Sequence, residues 1–112
     1  MWRARINLAR MEGYRRFEQE RCMPMLYKQP GLLGVLFLRQ ADGHAASLTI
    51  WEDREAVEAL TSSPSYREIT HELAESALLA GSESVEILEV EGGDLRPEAL
   101  VRVLDRTRSA GA

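Results

Sequence analysis

Gln29 to Asp53 reads QPGLLGVLFLRQADGHAASLTIWED, and this stretch decides the fold. Two runs rich in leucine, aromatic and β-branched residues, Leu32 to Arg39 and Ala45 to Trp51, flank the pair Asp42-Gly43. An Asp-Gly pair supplies the positive φ that a tight hairpin turn needs, so the stretch predicts strand, turn and strand. Pro30-Gly31 stops whatever precedes it. Asp53 is placed as the N-cap of a following helix, its carboxylate accepting from free backbone amides.

Upstream of the hairpin, Trp2 to Leu8 alternates strictly, with Trp2, Ala4, Ile6 and Leu8 on one face and Arg3, Arg5 and Asn7 on the other. That period of two predicts a first strand. Met11 to Lys28 then carries Tyr14, Phe17, Arg21 and Met25 at helical spacing. Pro24 removes a backbone donor and crowds the preceding turn, so a bend or break is expected near Glu20 to Cys22. Downstream, a helix through about Thr61 buries Ala56, Val57 and Leu60. Ser63 and Pro64 start another, with Tyr66, Ile69, Leu73 and Ala77 as its apolar stripe. Ala80-Gly81-Ser82 closes it, Val85 to Val90 is a fourth strand, and Leu95, Leu100, Val103 and Leu104 lie on a last amphipathic helix.

The order is the α+β, ferredoxin-like β-α-β-β-α-β pattern, an antiparallel sheet with helices on one face and a helix appended at the C-terminus. We divide it as a ferredoxin-fold domain over residues 1–91 and a helical extension over 92–112. The second strand is apolar on both faces, Leu33, Val35 and Phe37 pointing one way and Leu32, Leu36 and Leu38 the other. One helical layer covers one face. The other exceeds the apolar patch of a few hundred Å² that monomers tolerate, which predicts a homodimer joined sheet to sheet.

With 112 residues the chain suits a single domain, and its net charge of -4 with scattered arginines marks no nucleic-acid groove. No apolar run nears the roughly 20 residues that span a bilayer, and the N-terminus lacks the pattern of a secretory signal, so a cytoplasmic location is expected. Cys22 is the single cysteine and belongs to no zinc or redox spacing. No phosphate loop, nucleophile elbow or metal-binding set appears.

The run Pro30-Gly31-Leu32-Leu33-Gly34, the strand Val35-Leu36-Phe37-Leu38-Arg39, and Thr49-Ile50-Trp51-Glu52-Asp53 leading to Ala56-Val57 and Tyr66 together resemble the antibiotic biosynthesis monooxygenase domains. These belong to the dimeric α/β-barrel superfamily, and the resemblance covers about Trp2 to Glu91. It implies a homodimeric monooxygenase that oxidises a hydrophobic aromatic or quinol-like molecule with dioxygen, without a tightly bound metal or flavin. It also implies a cavity between sheet and helices, the other sheet face forming the shared barrel. A branch of the family binds and cleaves haem. That branch is similar here at an asparagine late in the first strand and a histidine before the last strand, matched by Asn7 and His71, which makes haem the alternative cofactor. Its porphyrin-distorting tryptophan corresponds to Leu60. A third reading is a non-catalytic dimer that binds a small ligand or assembles with a partner.

The candidate catalytic residues are therefore Asn7, whose amide can hold a carbonyl, phenolate or dioxygen, and His71, a base or iron ligand. His71 lies roughly 140° around the helix from the apolar stripe, which suits an exposed flank as well as a pocket. Tyr14, Phe37, Trp51, Leu60 and Tyr66 are the candidates to line a substrate cavity.

Overall fold

The computed structural model describes residues 1–110 and has the expected architecture. Strand β1 (Trp2–Arg5) passes through a 3-10 turn (Leu8–Arg10) into helix α1 (Met11–Phe17), a π-helical turn (Glu18–Cys22) and helix α2 (Met23–Tyr27). The hairpin is β2 (Leu32–Arg39) and β3 (His44–Trp51), followed by α3 (Arg54–Ser62), α4 (Pro64–Glu75), β4 (Ser84–Val85) and the terminal α5 (Pro97–Ala110). The sheet is antiparallel in the order β2-β3-β1-β4, and the core of Ile6, Tyr14, Phe17, Leu26, Ile69 and Leu73 lies between it and the helices.

The hairpin forms where the turn chemistry places it. Gly43 has φ +94 and its carbonyl accepts from Ile6 N, so a Cβ there would meet the Ile6 carbonyl oxygen at 3.0 Å. Gly31 has φ +84, and a Cβ would come within 2.7 Å of the Ala56 Cβ. Its missing side chain lets α3 pack against the start of β2. Asp53 caps α3 by accepting from Ala56 N at 2.9 Å.

Several expectations change. The face of β1 carrying Ala4, continued by Ile6, is the buried helix side, with Trp2 packed against the same core. A β-bulge between Leu32 and Gly34 inverts the first residues of β2, so Leu32 joins Val35 against the core while Leu33 is 66% exposed. The bulge inserts an unpaired residue, and every side chain before it changes face. The helix around Pro24 does not break. It widens into a π turn, which rotates the stripe so that Glu18 is buried and Arg21 is carried outward to bind both Glu72 carboxylate oxygens, the shortest contact being 2.7 Å.

Helix α4 stops five residues before the predicted Ala80. The Ser76 hydroxyl donates to the Leu73 carbonyl and accepts from Leu78 N, and Ala77 takes φ +61, leaving Ala77 exposed. The following residues pair with the first strand's end instead, through Asn7 N to Leu78 O and Ala80 N to Arg5 O. Ser63 sits at the N-cap position of α4 but makes no side-chain capping bond. The fourth strand is Ser84–Val85 alone, and Ile87, Leu88 and Val90 beyond it are at least half exposed. No helix among the described residues is long and apolar enough to cross a membrane.

Candidate active site

An apolar cavity of about 180 Å³ lies between the sheet and the helices. Its floor is Trp2 of β1, Phe37 of β2 and Ser47, Thr49 and Trp51 of β3, the inward residues of three neighbouring strands. Its roof is Tyr14, Cys22, Met25 and Leu26 from the first helical layer, with Leu60, Tyr66 and Ile69 from α3 and α4. Val85 to Leu88 form one rim. All five predicted lining residues, Tyr14, Phe37, Trp51, Leu60 and Tyr66, thus meet around one space.

Both indole N–H groups already have acceptors within the protein. Trp51 Nε1 donates to Thr49 Oγ1 at 2.8 Å, and Trp2 Nε1 donates to Glu83 Oε2 at 3.0 Å. The rings are left to offer apolar faces. Trp2 in turn stacks on Tyr14, with centroids 6.4 Å apart and planes 15° from parallel.

Beside Tyr14, outside the cavity lining, lies a sheltered ion pair that sequence reasoning missed. Glu18 is only 5% exposed, and its Oε1 accepts from Arg39 Nη2 at 2.7 Å. The Arg39 guanidinium also stands 5.3 Å from the Tyr14 ring centroid, a cation–π distance. Burial raises the Glu18 carboxyl above its ordinary value, and Arg39 opposes that rise without cancelling it. Burial and then the Glu18 charge push the Tyr14 hydroxyl far upward, so it remains protonated. Burial likewise pushes the Cys22 thiol up to about 12. A signal existed: Arg39 follows Val35 and Phe37 at alternate positions of β2, and an arginine on an inward face needs a carboxylate.

Asn7 and His71 are brought neither to the cavity nor to each other. The Asn7 side-chain oxygen accepts from Ala9 N at 3.2 Å and caps the 3-10 turn. His71 has a side chain 75% exposed on α4 and lies 3.4 Å from Glu75. Haem does not fit the helix-side cavity with His71 as its iron ligand, because that side chain is absent from the lining.

A family profile for antibiotic biosynthesis monooxygenase matches residues 19–72, the segment that contributes α2, the hairpin and most of the helical roof. Over that segment the chain is similar to the antibiotic biosynthesis monooxygenase family. Among solved structures, an antibiotic biosynthesis monooxygenase superposes with a TM-score of 0.65 at 13% identity, covering 81% of this chain and 95% of its own. Rv0793 from Mycobacterium tuberculosis gives 0.61 at 16% identity, covering 81% of this chain and 94% of its own. SnoaB, a cofactor-independent oxygenase from Streptomyces nogalater solved as an asparagine-to-alanine mutant, gives 0.57 at 18%, covering 82% of this chain and 93% of its own. At these identities the likeness is one of fold. No curated protein sequence matches the chain. The cavity, and the Glu18–Arg39 pair beside Tyr14, are built from this chain's own residues.

Proposed function

We propose that this chain is a monooxygenase that oxidises a one-ring phenol or quinol with dioxygen inside the helix-side cavity, without a tightly bound metal or flavin. The observation that carries the reading is the apolar cavity of about 180 Å³ with aromatic walls. An apolar cavity of about 150 Å³ accepts benzene, so this one suits one aromatic ring and not a polycyclic system. SnoaB, a relative in fold, is itself described as a cofactor-independent oxygenase, which supports the direct reaction.

The chemistry requires an electron-rich substrate anion. A quinol loses a hydroxyl proton, and its ring carbon, now carbanion-like, gives electrons to dioxygen and forms a C–O bond as a hydroperoxide. Loss of water from the hydroperoxide leaves a hydroxyquinone. One oxygen atom enters the product and the other leaves as water, the quinol supplying all four electrons. The cavity contributes desolvation and orientation, and the hydroxyl proton leaves to solvent base.

We further infer that the chain works as a homodimer joined through the open face of the sheet. Leu33 and Leu38 of β2 are 66% and 42% exposed there, beside the partly exposed Leu36, Leu48 and Ile50. Methylhydroquinone incubated with the protein under ¹⁸O₂ tests the reaction. The reading expects one labelled oxygen per hydroxyquinone formed, at a rate proportional to protein. Product formed at the buffer rate refutes it.

A further inference from the structure

The floor of the cavity carries a hydrogen bond that is complete on one side and open on the other. Thr49 and Trp51 are two residues apart on β3, so both side chains stand on the helix side of the sheet, and both line the cavity. The indole reaches back along that face, and its Nε1 donates to Thr49 Oγ1 at 2.8 Å. The hydroxyl oxygen therefore lies on the cavity side of the sheet. A threonine hydroxyl has one hydrogen and two lone pairs, and the indole takes up a lone pair. The hydrogen has no acceptor among the described residues.

The other threonines of the lining differ. Thr61 donates its hydroxyl hydrogen to the Glu58 carbonyl at 2.8 Å and Thr70 to the Arg67 carbonyl at 3.0 Å, so both are turned back onto their own helices. Ser47 also stands on the floor, but no protein donor backs its hydroxyl among the described residues. An indole that donates into a hydroxyl polarises it and makes its remaining hydrogen a stronger donor, most of all where water is scarce.

We propose that Thr49, backed by Trp51, donates a hydrogen bond to the oxygen of the ligand and favours its ionised form over the neutral one. A hydrogen bond to an anion is shorter and roughly twice as strong as one to a neutral oxygen, so the species selected is a phenolate or a quinol monoanion. Apolar surroundings alone would do the reverse, since burial disfavours a charge. The assignment names the group that holds the anion which reacts with dioxygen, and it rests on the proposed reading of the cavity. The binding it describes needs no oxygen chemistry.

The probe is 4-nitrophenol, a single ring whose phenolate absorbs visible light and whose neutral form does not. At a pH where both forms are present, the ratio of bound phenolate to bound phenol is read by absorbance under saturating protein. Thr49→Val keeps the shape and removes the hydroxyl, and is expected to lower that ratio about fivefold or more. Thr49→Ser restores a hydroxyl and should return the ratio to within about twofold of wild type. Trp51→Phe leaves Thr49 without the bond behind it and should lower the ratio by a smaller factor, a prediction that stands even where Thr49→Val fails to fold. Ser47→Ala should lower it less than Thr49→Val does. Unchanged toluene affinity in the Thr49 variants, read by tryptophan fluorescence, shows that the cavity is intact. An equal ratio in wild type and Thr49→Val, a larger loss in Ser47→Ala, or no nitrophenol bound to the wild type overturns the proposal. A lowered ratio in Thr49→Val with no labelled hydroxyquinone from methylhydroquinone would sink the oxygenase reading alone. Labelled product together with an unchanged ratio in Thr49→Val would sink the Thr49 donor alone.

Discussion

The two faces of the hairpin carry similar side chains and meet different fates. On the helix side Val35 and Phe37 of β2, with Thr49 and Trp51 of β3, reach the core or the cavity. On the open side Leu33 and Leu38 are exposed, with Leu36, Leu48 and Ile50 between the extremes. Apolar composition thus does not distinguish a face that packs from one that waits for a partner. What distinguishes them here is the polar group each contains: the helix side holds Arg39 with its buried carboxylate, and the open side has Arg3, paired to Glu86 at 3.2 Å, near its edge.

The largest expected effect breaks the covered face. Ile6 is 1% exposed, and Ile6→Ala should cost about 2–5 kcal/mol in denaturant unfolding through lost transfer energy and an unfilled hole. A loss below about 1 kcal/mol would mean that this side is loosely packed. Next comes the open face: Leu33→Asp with Leu38→Asp should turn the proposed dimer into a monomer in light scattering at micromolar concentration. The folded monomer's own core should be preserved, because neither side chain contributes to it.

A pH effect of intermediate size separates the buried charge from the exposed ones. The Glu18 carboxyl is raised in the folded state from an ordinary 4.5, so the folded protein binds more protons than the unfolded chain above that pH. Wild-type stability relative to Glu18→Gln should therefore be greatest at or below about 4.5 and fall as the pH rises through the folded titration. The opposite slope would mean that Arg39 outweighs burial. The smallest effect belongs to the surface: Arg21→Ala removes an exposed pair with Glu72 and should leave the denaturant midpoint almost unchanged.

Much of the fold was legible because its signals are local. Asp42-Gly43 set the turn, Gly31 the close approach to α3, and Asp53 the helix start, each through backbone geometry or one hydrogen bond. Errors arose where one residue shifts a period. The bulge at Leu33-Gly34 and the π turn at Glu18–Cys22 each insert a residue, so Leu33 and Arg21 were read on the wrong faces. The end of α4 was missed because Ala77-Leu78-Leu79-Ala80 has good helix formers, while Ser76 stops the helix with its own hydroxyl. At the site, the aromatic walls were found by periodicity. Glu18 was not, because a buried carboxylate resembles a solvated one until Arg39 is seen beside it.

The most direct test of the helix-side cavity as the reacting site is oxygen uptake with methylhydroquinone by Leu60→Trp, set beside His71→Ala and the wild type. Leu60 is 8% exposed and lines the cavity, so an indole there fills the ligand space, whereas His71 lies outside it. The expected result is that Leu60→Trp, still folded by circular dichroism, loses at least about tenfold in uptake while His71→Ala keeps the wild-type rate. Full uptake in Leu60→Trp, with loss in His71→Ala, would contradict it and move the chemistry to the exposed face of α4.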